Sequence, residues 1–120
     1  MNSTGNRFKR QDRLTHPNEY RYVFNDAVKS PSQCFTVLIR TNNKSLARLG
    51  LAISKKNVKK AVWRNRIKRA VRESFRLNKR KLKGFDIIVI GRRHITDKTN
   101  RQLRNALNKH WTEIQQCKNS

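Results

Sequence analysis

The sequence predicts one small α+β domain, a small sheet packed by helices. Three observations carry that prediction. Residues 34–40 and 48–54 are short runs rich in β-formers, separated by the turn-forming stretch 41–45. Residues 86–91 are almost continuously apolar, as expected of a strand covered on both faces. Around these runs lie stretches whose apolar residues recur at helical spacing. At 120 residues the chain can form one core but not two domains of ordinary size.

The elements follow in order. Residues 1–13 are polar and basic (Arg7, Lys9, Arg10, Arg13) and are predicted to form an extended tail, with the domain over 14–116 and a short tail at 117–120. Pro17 suits a first helical position and Glu19 complements the helix dipole. Tyr20, Val23 and Phe24 then recur at i, i+3, i+4, giving an amphipathic helix to about Ala27 that Ser30-Pro31-Ser32 ends. The strands 34–40 and 48–54 come next, with room for another short strand or a split around 32–36. A basic helix connects the second strand to the strand at 86–91. Thr96 or Asp97 can cap a last helix in which Leu103, Ala106, Leu107, Trp111 and Ile114 keep one face. The order is α-β-β(-β)-α-β-α.

Charge narrows the function. Thirty Lys and Arg face seven acids, a net charge of +23. Such self-repulsion calls for a polyanionic partner, whose condensed counterions are released when bases dock on its phosphates. No apolar run approaches the roughly 18 residues that span a bilayer, and Met1-Asn2-Ser3-Thr4-Gly5 leads into charge without a hydrophobic leader segment, so a cytoplasmic protein with no membrane partner is expected. Cys34 and Cys117 read as unrelated reduced thiols. His16, His94 and His110 are far apart, and no Cys/His spacing suggests zinc. The seven acids contain none of the paired carboxylates that a two-metal protein nuclease needs.

The stretch 64–76, RNRIKRAVRESFR, shows where the polyanion would lie. At about 100° per residue, Trp63, Ile67, Ala70, Val71, Ser74 and Phe75 share the side that can pack on the sheet. Arg64, Lys68, Arg72 and Arg76 form an i, i+4 row on the opposite half, widened by Arg66 and Arg69 and including Asn65. Glu73 sits on one flank, where it can pair with Arg69 or Arg76. A solvated helix intersperses Glu with Lys, whereas like charges stacked at i, i+4 are unfavourable without a partner. The row is mostly Arg, which suits bidentate grip on phosphate. Just upstream, Ser54-Lys55-Lys56-Asn57 and Lys59-Lys60 form a second basic cluster beside the helix start, where backbone amides can add to an anion site. Tyr20 and Phe24, with Phe35, Thr36 or Leu38, supply apolar surface on which single-stranded RNA could lie, if they are not spent on the core.

Ser54-Lys55-Lys56, then Ala61-Val62-x-Arg64-Asn65-Arg66-Ile67-Lys68-Arg69 and Arg72-Glu73-Ser74-Phe75-Arg76, resemble the signature of the bacterial ribonuclease P protein component. Arg13-Leu14, Tyr20, Val23-Phe24, Arg48-Leu49-Gly50-Leu51 and Asp86-Ile87-Ile88-Val89-Ile90 agree with it, so the resemblance covers about residues 13–115. It implies a compact two-layer α/β sandwich with a mostly antiparallel sheet, in which the basic helix forms a left-handed β-α-β crossover, against the usual preference. It also implies a loop able to bind metal and a non-catalytic subunit, monomeric and one-to-one with a catalytic RNA. That RNA removes the 5′ leader of precursor tRNA with Mg²⁺, which the holoenzyme requires. No cofactor, protein-bound metal or small-molecule substrate is assigned to the protein itself.

By position, Arg64, Asn65, Arg66, Lys68, Arg69, Arg72 and Arg76 are expected to bind the catalytic RNA. Tyr20, Phe24, Thr36, Leu38, Ser54, Lys55 and Lys56 are expected to line the leader cleft, with strand register deciding which of them face it. Arg13, Lys59 and Lys60 would add phosphate contacts. The chain departs from the family pattern at Asn57-Val58-Lys59-Lys60, where many members have a glycine-containing turn, and at Leu38, where some have an aromatic. A ribosomal protein would share the charge and size but not the motif, and a free protein nuclease would cleave without RNA.

Overall fold

The computed structural model describes residues 9–93 and 95–118, with the side chains of Cys117 and Lys118 outside the description. The elements are α1 (Pro17–Asn25), β1 (Val28–Pro31), β2 (Phe35–Thr41), β3 (Arg48–Ala52), α2 (Ala61–Asn78), β4 (Phe85–Gly91) and α3 (Asn100–Lys118). The sheet order is β1-β2-β4-β3; β1–β2 and β2–β4 are antiparallel, and β3–β4 is parallel. Two parallel neighbours joined through α2 make the β-α-β unit that the resemblance implied.

Three sequence expectations shift. The extra strand is Val28–Pro31, not a segment around 32–36. Pro31 was read as a helix breaker, but it ends an edge strand, where a missing N–H costs no interior ladder bond. The last helix is capped by Thr99, not by Thr96 or Asp97. The Gln102 N–H donates to Thr99 Oγ1 at 3.1 Å and the Thr99 N–H donates to Gln102 Oε1 at 2.8 Å, a reciprocal capping box. Thr96 and Asp97 lie in a preceding 3-10 turn, Ile95–Asp97.

The C-terminal end of the predicted N-terminal tail is also structured: Arg10–Asp12 form a 3-10 turn. Asp12 is buried and paired with Lys79 at 2.9 Å, and the Leu14 N–H donates to the Leu49 carbonyl at 2.9 Å along the free edge of β3. Residues 1–8 and 119–120, with His94, lie outside the described residues.

Strand alternation divides the core. Phe35, Val37, Ile39, Leu49, Ile87 and Val89 face α2 and α3, where Ile67, Val71, Phe75, Leu103, Leu107, Trp111 and Ile114 complete a sealed layer with buried Cys34. Phe75 and Trp111 meet edge to face with centroids 6.2 Å apart, and the Trp111 indole N–H donates to Ser74 Oγ at 2.8 Å. Leu38 and Ile88 face the other way, under Leu14 and Val23 of the α1 side. That face is only partly covered.

Candidate nucleic-acid interface

The buried residues of α2 (Ile67, Val71, Ser74, Phe75) set the orientation of its basic side. The arginines divide into two kinds. Arg64 is half-buried and turns back, its Nη1 donating to the carbonyls of Val58 and Lys59 at 2.9 and 2.8 Å. Arg66 reaches the connector before α3, donating to the Thr96 and Lys98 carbonyls at 3.2 Å and to Asn100 Oδ1 at 3.0 Å. Arg76 pairs with Glu73, which holds that carboxyl below its ordinary range.

Asn65, Lys68, Arg69 and Arg72 make no hydrogen bond or ion pair among the described residues, and Asn65, Arg69 and Arg72 are exposed. The expected row Arg64–Lys68–Arg72–Arg76 is therefore corrected. Arg64 and Lys68 flank the buried side, and the outward face centres on Arg69 with Asn65 and Arg72. Beside it runs a groove of about 760 Å³ between α2 and α3, lined by Arg66, Arg69, Leu77, Arg104 and Asn108 among others. The first turn of α2 holds no acid, and Lys60 at its cap position offers no side-chain cap, so the helix dipole adds to the positive field there.

Trp63 was expected on the sheet-facing side of α2. It is instead 40% exposed, with Lys60 Nζ 4.8 Å from its ring centroid. Ala61 and Val62, the other residues at the start of α2, are exposed as well, so this end of the helix buries no side. Ser54, Lys55, Lys56, Lys59 and Lys60 are all exposed in the loop before α2; Ser54 Oγ accepts the Asn57 N–H at 3.2 Å, so it shapes the turn.

On the opposite side of the sheet, register aligns three rows across β2, β4 and β3: Arg40–Asp86–Arg48, Leu38–Ile88–Gly50 and Thr36–Ile90–Ala52. The first row anchors α1. Arg48 forks onto fully buried Asp86, with Nε to Oδ1 at 2.9 Å and Nη2 to Oδ2 at 2.7 Å, and its Nη1 reaches Glu19 Oε2 at 2.6 Å. Glu19 Oε1 also accepts the backbone N–H of His16 and Thr15 at the helix start. The His16 amide, then Thr15 and the Arg48 charge, depress the Glu19 carboxyl against an opposing effect of burial. Arg40 stacks 3.4 Å from the Tyr22 ring centroid and donates to the Tyr22 carbonyl.

The middle row is covered. The Tyr20 ring lies on Gly50, where a Cβ would stand 2.8 Å from Tyr20 Cε2, and Tyr20 Oη accepts the Leu51 N–H at 3.2 Å. Leu38 is 3% exposed beneath α1. The expectation that it touches the leader is corrected: it supports the floor of the cleft and offers almost no surface. The third row, Thr36–Ile90–Ala52, is half-exposed beyond α1, and Phe24 is 50% exposed on that helix. Arg13 is exposed beside the β3 edge.

A polar cluster went unread in the sequence. His110 is buried between Ser30 of β1 and Ser32, with Nδ1 3.0 Å from Ser30 Oγ and Nε2 2.9 Å from Ser32 Oγ, while Ser30 donates to Glu113 Oε2 at 2.6 Å. Burial lowers the imidazole pKa, against a smaller opposing effect of Glu113. His110 lies on the apolar face of α3, and only the position of β1 reveals its partners. Among the described residues no three His, Cys, Asp or Glu come together, and no helix is long and apolar enough to cross a membrane.

A family model described as Ribonuclease P matches residues 8–115. The chain is 49% identical over 104 residues to the ribonuclease P protein component of Methylococcus capsulatus, covering 87% of this chain and 81% of that protein. It is 44% identical over 107 residues to that of Vibrio cholerae, covering 89% and 91%. Among solved structures, the RNase P protein of Staphylococcus aureus superposes with a TM-score of 0.78 at 34% identity, over 86% of this chain and 94% of that one. That of Thermotoga maritima superposes with 0.77 at 34% identity, over 85% and 96%.

Proposed function

From the chain's membership of the bacterial ribonuclease P protein component family, we propose that it binds the catalytic RNA on the outward face of α2 and the 5′ leader of precursor tRNA in the cleft beside α1. As a member of that family it is a component of the ribonuclease P holoenzyme. The observation that carries the two-sided reading is the division of the molecule. Arg69, Arg72, Lys68 and Asn65 are uncommitted on one side of the sheet, and the half-open row Thr36–Ile90–Ala52 lies on the other, bordered by Phe24 and Tyr20. Ser54, Lys55 and Lys56 join the two sides at the sheet edge. A protein so arranged can screen the repulsion between two RNAs and hold both.

Hydrolysis belongs to the RNA in this reading. Asp12, Glu19, Asp26, Glu73, Asp86 and Glu113 are each engaged in an ion pair or hydrogen bond. The described residues bring together no group of three or more His, Cys, Asp or Glu that could hold the Mg²⁺ the holoenzyme is expected to require. The test is cleavage of precursor tRNA. Protein alone is expected to be inert, and with the catalytic RNA it is expected to lower both the magnesium and the substrate concentration needed. Cleavage by protein alone, or no change in either requirement, overturns the reading.

A further inference from the structure

At the edge between those two sides, the loop before α2, the first turn of α2 and the connector 95–98 enclose a cavity of about 510 Å³. It is lined by Lys56, Asn57, Lys59, Trp63, Arg93 and Asp97, with Thr96. Asn57 and Arg93 also line an adjoining cavity of about 640 Å³ that includes Ile90, from the half-open row of the sheet. A continuous surface thus runs from the cleft to the start of α2. We infer that this cavity is a nucleotide subsite for single-stranded RNA, with the base on Trp63, its hydrogen-bond edge at Asp97, and the phosphate among Lys56, Lys59 and Arg93. The inference rests on the RNA-binding function proposed above.

Trp63 presents a 40% exposed indole with Lys60 Nζ over one face, 4.8 Å from the centroid, and a base can stack on the other face whatever its sequence. Asp97 is the unusual member. Of the seven acids, it alone makes no ion pair or hydrogen bond among the described residues. A carboxylate repels phosphate and only accepts hydrogen bonds, so the part of a base that suits it is an edge carrying N–H donors. Guanine offers two side by side, N1–H and the exocyclic amine; adenine and cytosine offer one amine each, and uracil a single ring N–H. The subsite should therefore favour guanine and disfavour uracil. Its walls are already fixed: Arg66 on α2 holds the Thr96 and Lys98 carbonyls, tying the Asp97 connector to the helix that carries Trp63.

The probes are the oligoribonucleotides UUGUU, UUUUU and UU-abasic-UU, each carrying a 5′ fluorescein whose anisotropy gives the affinity, with tryptophan emission recorded beside it. The chain has two tryptophans, and Trp111 is buried, so a quench absent in Trp63→Leu reports the cavity and residual Trp111 emission reports folding. Trp63→Leu is expected to weaken UUGUU about tenfold and the abasic oligomer less than about twofold. Asp97→Asn should cut the preference for UUGUU over UUUUU by about fivefold or more, while tightening the abasic oligomer. In the holoenzyme, a quench on adding catalytic RNA assigns the nucleotide to that RNA, and a quench only with leader-bearing precursor tRNA assigns it to the leader; both support the subsite. Equal weakening of base-bearing and abasic oligomers by Trp63→Leu, or an unchanged guanine preference in Asp97→Asn, overturns it. If those results accompany a normal loss of catalytic-RNA affinity in Arg69→Ala, only the subsite falls. If Arg69→Ala is also without effect, the proposed RNA-binding face falls with it.

Discussion

On one face of the sheet, α2 and α3 bury Phe35, Val37, Leu49, Ile87 and Val89 under Ile67, Phe75 and Trp111; on the other, α1 covers only the middle row and is fastened by Glu19, Arg48 and Asp86. Apolar burial needs no particular partner and scales with area. A charge network needs one geometry and places α1 to within a hydrogen bond. Damage to the sealed face should therefore remove stability without selecting among ligands, and damage to the open face should displace the cleft as well.

The largest effect tests the first half of that contrast. Phe75→Ala empties a fully buried ring site against Trp111 and is expected to cost about 3–5 kcal/mol, a large part of the roughly 5–15 kcal/mol that holds a domain. Urea unfolding measures it. The molecules that remain folded should bind leader and catalytic RNA in the wild-type ratio.

Next comes Arg48→Met, which leaves the fully buried Asp86 carboxylate without its countercharge, held by the Asn42 amide alone among the described side chains, and should cost about 3 kcal/mol. Unlike Phe75→Ala, it should also weaken leader binding selectively, because α1 loses its anchor. Arg48→Met with Asp86→Asn should recover much of the stability but not the leader affinity, since Glu19 still lacks its partner. Recovery of both would mean that the charges do not position α1.

The sequence made the sealed face legible because periodicity records burial: the apolar positions of α3 and most of those of α2 were read correctly. Trp63 misled because a wheel assumes that the helix buries one side along its whole length. The charged residues were legible as a sum but not singly. A guanidinium is long enough to turn back on its own chain, so Arg64 and Arg66 look like Arg69 in sequence and differ only in which carbonyls lie nearby. Leu38 and Thr36 lie on the same strand face, and only the end of α1 decides which is covered. His110 was opaque because its partner Ser30 lies 80 residues away on a strand that Pro31 concealed, and Ser32 lies just beyond that strand.

A smaller effect sharpens the division among the arginines. Arg69→Ala and Arg72→Ala should each reduce the salt dependence of catalytic-RNA binding by about one unit while changing stability by less than about 0.5 kcal/mol. Arg66→Ala should lower stability by about 1 kcal/mol, since the part-buried Thr96 and Lys98 carbonyls lose their donor. Binding measured from low to high salt, beside urea unfolding, separates the two kinds. Equal stability losses in all three would erase the distinction.

The smallest effect separates the two faces by pH. On the sealed side, His110 has its folded pKa below the ordinary 6.5 because burial disfavours the cation. Below that value the unfolded chain binds a proton that the folded chain resists, so stability falls as pH drops through the window just under 6.5 and is restored as pH rises. Glu113 on α3 favours the cation and makes the slope shallower, and the Ser30 and Ser32 hydroxyls can serve either protonation state. On the open side, Glu19 has its folded pKa below 4.5. Its contribution is present above 4.5 and disappears as pH falls through the lower folded value. His110→Gln should abolish the first slope and leave the second, while Glu19→Gln should do the reverse. Urea midpoints taken at closely spaced pH values read both. A single slope that neither variant alters would show that these two groups do not govern the acid response of their faces.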